Sequence, residues 1–423
     1  MPSEEGFKCS FDRFQEHYYP FTVPEKHWSN ILSKVLERLD LLTENDEGKK
    51  VFKAFMEAIP GDDDDDDDDP DYVQQGEART DNLYKPLHDI ATAIAKASLQ
   101  VAGFWETREL NYVFRPCPRT MIHSSTTGSY SNIVDAVFEK RCLCGEGQLH
   151  GVSEHLEHLS SPQMNVGGHP VTSMSTNDVA CVFMLRTKNT SDGLMKEIAS
   201  ATAQLINDDA RRMFGYGFTI EGYEVTVSYF CRSHSVASEV LSLNNPGDLN
   251  RLIGTFISFM FAMDEEMGYD PTVSRHDRDG FKAQYTFRIP DSDNGRNSDR
   301  FFRTVDTIYD YGSLDVTDKS TRVWLVEEKS SAEDDASPVG DPAIRYVLKD
   351  VWHPAKARTE RQIQDSIFKG IKEFLAASPL PPEKADLAEL QSKNAHLLLG
   401  DSFKHYFTTI VAEYQGRMTP AYD

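Results

Sequence analysis

A short β-prone run ending in a lysine, followed one loop later by an amphipathic helix that starts with a glutamate, constrains this chain more than any other stretch. Tyr346, Val347 and Leu348 form the run within Arg345-Tyr346-Val347-Leu348-Lys349-Asp350-Val351-Trp352, and Lys349 ends it. Pro354 marks the loop. From Thr359 to Leu375, Ile363, Ile367, Ile371 and Leu375 recur at four-residue spacing, which predicts a helix with one apolar face. Glu360 lies on that same side, one turn before Ile363 and Gln364. The pattern places an ammonium at a strand end, facing a carboxylate on the inner side of the next helix. A second reading of the same glutamate stands beside it. Thr359-Glu360-Arg361-Gln362 is a capping box, in which Glu360 is simply a first-turn carboxylate favoured by the helix dipole.

A chain of 423 residues suggests two or three domains, each able to bury a core. The 39% hydrophobic content, with four Trp, 17 Tyr and 24 Phe, fits globular domains with some loose segments. A net charge of −24 argues against a bulk electrostatic grip on nucleic acid or an anionic membrane. Six scattered cysteines show no disulfide-framework spacing, which points to a reducing compartment. The acidic start Met1-Pro2-Ser3-Glu4-Glu5 has no apolar core and is not read as a secretory signal. No apolar run is long enough to span a bilayer, so the expected setting is intracellular, cytoplasmic or nuclear.

Residues 1–110 read as mainly helical. Trp28, Ile31, Leu32, Val35, Leu36 and Leu39 repeat at helical spacing, and Val51, Phe52, Phe55 and Met56 suggest a second short helix. The unbroken aspartates Asp62 to Asp69, within the loop 61–70, repel one another and predict an extended, solvated segment. Another helix is expected from Tyr84 to Leu99. Residues 111–290 read as an α/β module. Its expected strands are Tyr112–Phe114, Ile133–Phe138, Val179–Leu185, Met213–Ile220, Val225–Cys231 and Phe281–Ile289, with helices at Leu194–Met213 and Asp248–Met263. An inserted loop, 141–178, holds Cys142, Cys144, His150, His155 and His158. Those residue types raise zinc, but Cys-x-Cys followed by irregular histidines is not an established ligand spacing, and the loop is read as solvated. The polar run Asp291–Arg300 is a linker or a hairpin loop. From Phe301 the chain changes to short consecutive strands, Phe301–Ile308, Ser313–Val316 and Thr321–Glu327, and then the loop Lys329–Pro342 leads into the lysine strand. Asp386–Leu399 is helix-prone, and Phe403–Val411 suggests one more strand.

Several blocks along the chain are similar to the fungal-type protein kinase family. They include Phe11 to Phe21, Ile206-Asn207-Asp208-Asp209-Ala210-Arg211-Arg212, Gly217-Phe218-Thr219-Ile220-Glu221 and Tyr229-Phe230-Cys231-Arg232-Ser233-His234-Ser235. Met267 to Val273, Thr321-Arg322-Val323-Trp324, Leu348-Lys349-Asp350-Val351-Trp352, Thr359-Glu360-Arg361-Gln362-Ile363 and Tyr406-Phe407-Thr408 complete the set. The resemblance implies an α+β fold: a mixed α/β module behind a helical N-terminus, then, over 300–423, a partial kinase-like small lobe of antiparallel strands plus one helix. It implies ATP-dependent phosphoryl transfer to Ser/Thr as the family activity, with ATP and Mg as cofactors. It carries Lys349 over as the lysine that meets the nucleotide phosphates and Glu360 as the carboxylate that fixes it.

The chain also departs from that pattern. Where the small lobe opens with a Gly-Arg turn, this sequence reads Thr317-Asp318-Lys319-Ser320, and no glycine occurs from Leu314 to Val326. Backbone amides cannot approach phosphates as closely around side chains. Relatives tend to end the strand before the Leu194 helix in a Glu-Phe-Lys-like triplet. Here Met184-Leu185-Arg186 stands in its place, so Asp135 has no second carboxylate with which to hold a metal. After Lys349 there is no His-Arg-Asp and no Asp-Phe-Gly. The expectation is therefore a kinase homologue truncated before its catalytic loop and inactive as it stands, with no catalytic or metal residues. The alternative is a non-catalytic binding or scaffold protein that uses the α/β module and the acidic loop, and so favours a basic protein partner. Val323, Trp324 and Val347 are expected to expose apolar surface or to pack against the N-terminal region.

Overall fold

The run Val179-Ala180-Cys181-Val182-Phe183-Met184-Leu185 contains no charged residue, and a strand of that kind has to be covered on both faces. The computed structural model of the chain describes residues 7–37, 42–44, 47–52, 85–104, 106–123, 131–141, 173–186, 191–277, 282–290, 299–310, 320–353, 356–377, 384–416 and 419. It opens with β1 (Phe7–Cys9), α1 (Phe11–Tyr18), α2 (Glu25–Leu36) and a small hairpin of β2 (Leu42–Glu44) and β3 (Lys50–Phe52). Helix α3 (Lys85–Leu99), β4 (Tyr112–His123), β5 (Ser131–Lys140), β6 (Ser173–Ser175) and β7 (Val179–Arg186) follow. After α4 (Ser191–Asp208) come β8 (Phe214–Glu221), β9 (Glu224–Cys231), β10 (Ser235–Ser238), β11 (Leu241–Ser242) and α5 (Leu249–Met260).

Among the described residues these strands form a nine-stranded mixed sheet in the order β1-β10-β9-β8-β7-β5-β4-β6, with β11 against β9. The apolar run is β7, at its centre. β7 and β8 are parallel, so the connection between them has to cross a face of the sheet, and α4 makes that crossing. Alternation along β7 divides the core. Cys181, Phe183 and Leu185 point to the face covered by α1, α2, α3 and α5, while Val182 and Met184 meet Leu194, Ile198 and Ala201 of α4. Phe183 and Phe218 stack at 4.4 Å between ring centres on the first face. On the second, Gly215 and Gly217 of β8 let α4 lie close. A Cβ at Gly217 would run into Cγ1 of Ile198 and stand 3.3 Å from Oγ1 of Thr202. Gly217→Ala is therefore expected to cost about 1–3 kcal/mol through overpacking, read as a lower midpoint in chemical denaturation.

The second sheet is a simple antiparallel meander of five strands among the described residues: β12 (Val273–His276), β13 (Gln284–Ile289), β14 (Arg300–Asp310), β15 (Thr321–Lys329) and β16 (Arg345–Val351). β13 and β14 pair antiparallel in one sheet, and most of the run Asp291–Arg300 between them lies outside the described residues. One face carries a small core of Phe302, Trp324 and Val326, with Phe287, Tyr346 and Leu348 around it and Ala210 and Ala412 laid across it. Trp324 thus takes the second of the two expected outcomes and is buried, with Ala210 of the preceding region and Ala412 covering this face. Val347, on the other face, is 65% exposed.

Helix α6 (Glu360–Ala376) and α7 (Ala385–Asn394) follow, and then the 3₁₀ segment Ala395–Tyr406. The chain is α+β, as its pattern implied. Three local expectations change. Val51 and Phe52 lie in β3, whose pairing with β2 buries both, and so not in a helix. Phe403–Val411 is not a strand: the 3₁₀ segment runs to Tyr406, and residues 407–411 are irregular. The buried side of α6 is Gln364, Phe368, Ile371 and Leu375, while Ile363 and Ile367 are exposed. Phe368 decides this, because it packs edge-on to Phe403 and Phe407 at 5.5 and 5.1 Å and turns that side inward. The aspartate run 62–69, the Cys142–His158 cluster, the turn Thr317–Lys319 and the strand expected at Ser313–Val316 lie outside the described residues. Among the described residues, no helix is long and apolar enough to cross a membrane.

Candidate functional site

Among the described residues β16 is an outer strand of the second sheet with one neighbour, β15. Their register sets Thr321 opposite Val351, Val323 opposite Lys349, Leu325 opposite Val347 and Glu327 opposite Arg345. Directly opposed residues share a face. Those eight side chains therefore lie on the side away from the small core, while Arg322, Trp324, Tyr346, Leu348 and Asp350 lie on the core side. On the open side Val323, Leu325 and Val347 make an apolar floor. Glu327 and Arg345 pair at one end, 3.3 Å apart, and Lys349 stands at the other.

The loop after β16 brings the chain back beside Lys349. Thr359 caps α6: its Oγ1 accepts from Gln362 N at 3.2 Å, and Gln362 Oε1 accepts from Thr359 N at 3.1 Å. The capping box is therefore real, and it fixes the first turn so that Glu360 projects towards the sheet. Lys349 Nζ donates to Glu360 Oε1. Both readings of Glu360 hold at once. It is the first-turn carboxylate, and it is the partner of Lys349. The two side chains keep 42% and 54% of their surface exposed. Such pairs contribute about 0–1 kcal/mol, so the contact is a weak strut for the fold. Its chemical content is an oriented ammonium at the end of an open apolar strip.

That arrangement suits a molecule with a flat apolar part and an anionic tail. The strip supplies apolar surface from Val323, Leu325 and Val347, and Lys349 supplies a point cation beside it. It does not suit a metal ion by itself. No group of three or more His, Cys, Asp or Glu gathers in a way that could hold one, among the described residues.

The acid of the first sheet is closed off. Asp135 is 3% exposed, and its Oδ2 accepts from Leu185 N at 2.8 Å and from Arg186 Nη1 at 3.4 Å. Arg186 Nη2 also donates to Glu197 at 2.8 Å. A guanidinium thus bridges the two carboxylates. Met184 points away into the α4 core, 2% exposed.

The sequence reading did not single out for function the charged end of α4. Asp209 is 4% exposed, and Arg211 forks onto both of its oxygens at 2.6–3.1 Å. Arg212 is 2% exposed, donates to Ala180 O and Val179 O, and lies over the Tyr269 ring at 3.9 Å. The available signal was two acids and two arginines within Asp208-Asp209-Ala210-Arg211-Arg212, between a helix and a strand, where solvent-facing charge would be spaced out.

A family model described as fungal protein kinase matches residues 163–377, about half of the chain. That range runs through α4, the second sheet and the whole of α6, and leaves residues 1–162 and 378–423 outside it. No curated protein and no solved structure matches.

Proposed function

The chain belongs to the fungal protein kinase family, and from that premise we propose that the open side of its second sheet is a nucleotide-binding face. Residues 300–423 act as the small lobe of a kinase-type fold, with β12 and β13 added to its sheet. Lys349 meets the α/β-phosphates of ATP, Glu360 holds the Lys349 ammonium in place, and Val323, Leu325 and Val347 take the base. The observation that carries this reading is the Lys349–Glu360 contact beside an apolar strip in which Val347 is exposed and Val323 and Leu325 are half-buried. A surface ion pair of little worth to stability is better explained by a ligand that needs the oriented charge.

The same proposal assigns no phosphoryl transfer to these 423 residues alone. Transfer needs an aspartate that orients the substrate hydroxyl and further groups that hold Mg²⁺. The sequence after Lys349 contains neither His-Arg-Asp nor Asp-Phe-Gly. Mg²⁺ in such sites is bound largely through the nucleotide phosphates, and no step is assigned to it here.

The test is a thermal-shift titration with ATP and Mg²⁺, run alongside a phosphate-transfer assay. ATP at about 100 times its dissociation constant should raise stability by about 2.7 kcal/mol in the wild type. Lys349→Ala should lose most of that rise. No rise at millimolar ATP, or an equal rise in the variant, sinks the nucleotide face. Transfer of phosphate that disappears in Lys349→Ala sinks the non-transferring half of the proposal.

A second reading is a protein-binding scaffold. The exposed apolar side chains continue onto β14 with Ile308 at 55% and Tyr309 at 51%, an area a protein could cover. A basic partner would suit the net charge of −24. ATP that displaces no such partner and produces no thermal rise would favour this reading.

A further inference from the structure

Four elements converge on the last turn of α4. Arg322 of β15 donates through Nη2 to Ile206 O at 2.9 Å and to Asn207 O at 2.7 Å. Arg232, in the β9–β10 turn, reaches Asn207 Oδ1 at 2.5 Å. Tyr285 OH of β13 reaches Asp208 O at 3.4 Å, and Arg275 of β12 lies 3.5 Å from Asp209. The last carbonyls of a helix lack partners within it and carry its negative pole, so guanidinium groups are the natural cap. Two of the blocks noted in the sequence, Ile206–Arg212 and Thr321–Trp324, thus meet in space.

Arg322 differs from the other three because of where it sits in the sheet. It is opposite Asp310 of β14 and opposite Asp350 of β16 in one cross-strand row. Its side chain is 5% exposed, and its Nε is 3.6 Å from Asp310 Oδ1. Asp350 follows Lys349 directly and faces the other way, towards Arg322. One guanidinium therefore stands among β14, β15, β16 and α4. Among the described residues β16 has β15 as its single strand neighbour, so the placement of β15, which carries Arg322, sets where Lys349 stands in the sheet.

We infer that Arg322 is a positioning residue for Lys349: it clamps β15 and β14 to the end of α4, and β16 follows β15 through their shared register, so that the first sheet and its helices set how Lys349 meets the nucleotide. This rests on the nucleotide-face reading for its consequence. The clamp itself is a statement about two segments more than a hundred residues apart, near Ile206 and near Lys349.

Two readouts on the full chain test it, with Arg322→Gln, Arg322→Lys and a control, Val326→Ala. The control removes apolar packing from the same face of β15 but no bond to α4. Without nucleotide, Arg322→Gln should speed amide hydrogen exchange by about tenfold at Gln204–Asp209 and at Tyr346–Val351 together. With ATP and Mg²⁺ it should weaken binding by about tenfold or more, since a misplaced ammonium loses its geometry. Val326→Ala should loosen the second sheet but leave the α4 end and the ATP affinity within about twofold of wild type. Arg322→Lys should recover part of both losses. Exchange in Arg322→Gln confined to the second sheet, with ATP affinity no worse than in Val326→Ala, overturns the clamp. A wild type that binds no ATP, with both segments loosened in Arg322→Gln, overturns the nucleotide face and leaves the clamp standing.

Discussion

Asp209→Asn is expected to destabilise the protein by about 3–5 kcal/mol, measured by urea unfolding at neutral pH, because it takes the forked counter-charge from the largely buried Arg211 and leaves Arg275 with Asp277. Asp209 is 4% exposed and holds Arg211 by a fork of hydrogen bonds, with Arg275 at 3.5 Å. Burial alone would push its carboxyl up, but the Arg211 hydrogen bonds and charge, with Arg212 beyond, outweigh burial and bring it down to about 2. The sign of the pH effect follows. A carboxyl held lower in the folded state stabilises the fold above its ordinary value near 4, and that stability is lost as pH falls towards 2. Its share is about 2 kcal/mol. Burial raises the carboxyls of Asp350, against Arg322, and Glu139, against Arg115, so these two act oppositely and favour the fold as they protonate at higher pH. Wild type should therefore lose stability mainly below about pH 4, and Asp209→Asn should show a weaker acid loss from a lower starting point. An unchanged acid leg in the variant would remove Asp209 from the explanation.

Trp324→Ala is the second large effect, with an expected cost of about 3–5 kcal/mol. The core of the second sheet is small. Phe302, Trp324 and Val326 are its buried members, and Trp324 packs on Phe287 at 5.1 Å between ring centres. The loss should also be local. Hydrogen exchange in β14–β16 should rise to that of an open segment, while β7 and β8, buried on both faces, keep their protection. Equal loss of protection in both sheets would mean that they unfold as one unit.

The sequence made the centre of the site readable because each part has a local cause. Tyr346-Val347-Leu348 is β-prone, and Thr359 with Gln362 forms the capping box that starts the helix; Lys349 does not end the strand as expected, since β16 runs on to Val351 through its pairing with β15. The faces were harder to read. Spacing by four through Ile363, Ile367, Ile371 and Leu375 drifts around a helix, and Phe368 defines a competing side whose partners, Phe403 and Phe407, lie 35 and 39 positions later. For Trp324 the sequence left exposure and packing both open, because the residues that cover it, near Ala210 and Ala412, are distant in sequence. Val51 and Phe52 fit a helix or a strand equally well, and pairing with β2 settled them. The charged end of α4 left a signal in its clustered acids and arginines, but its meaning depends on Arg322, more than a hundred residues away.

The central claim is that Lys349 stands where nucleotide phosphates bind. An ATP analogue carrying an acyl phosphate transfers its acyl group to an amine held beside those phosphates, and peptide mass spectrometry then locates the label. The account predicts acylation at Lys349, suppressed by excess ATP, with the exposed Lys369 on α6 labelled weakly and indifferent to ATP. Labelling of Lys349 that ATP does not suppress, or that is no stronger than at Lys369, would contradict it.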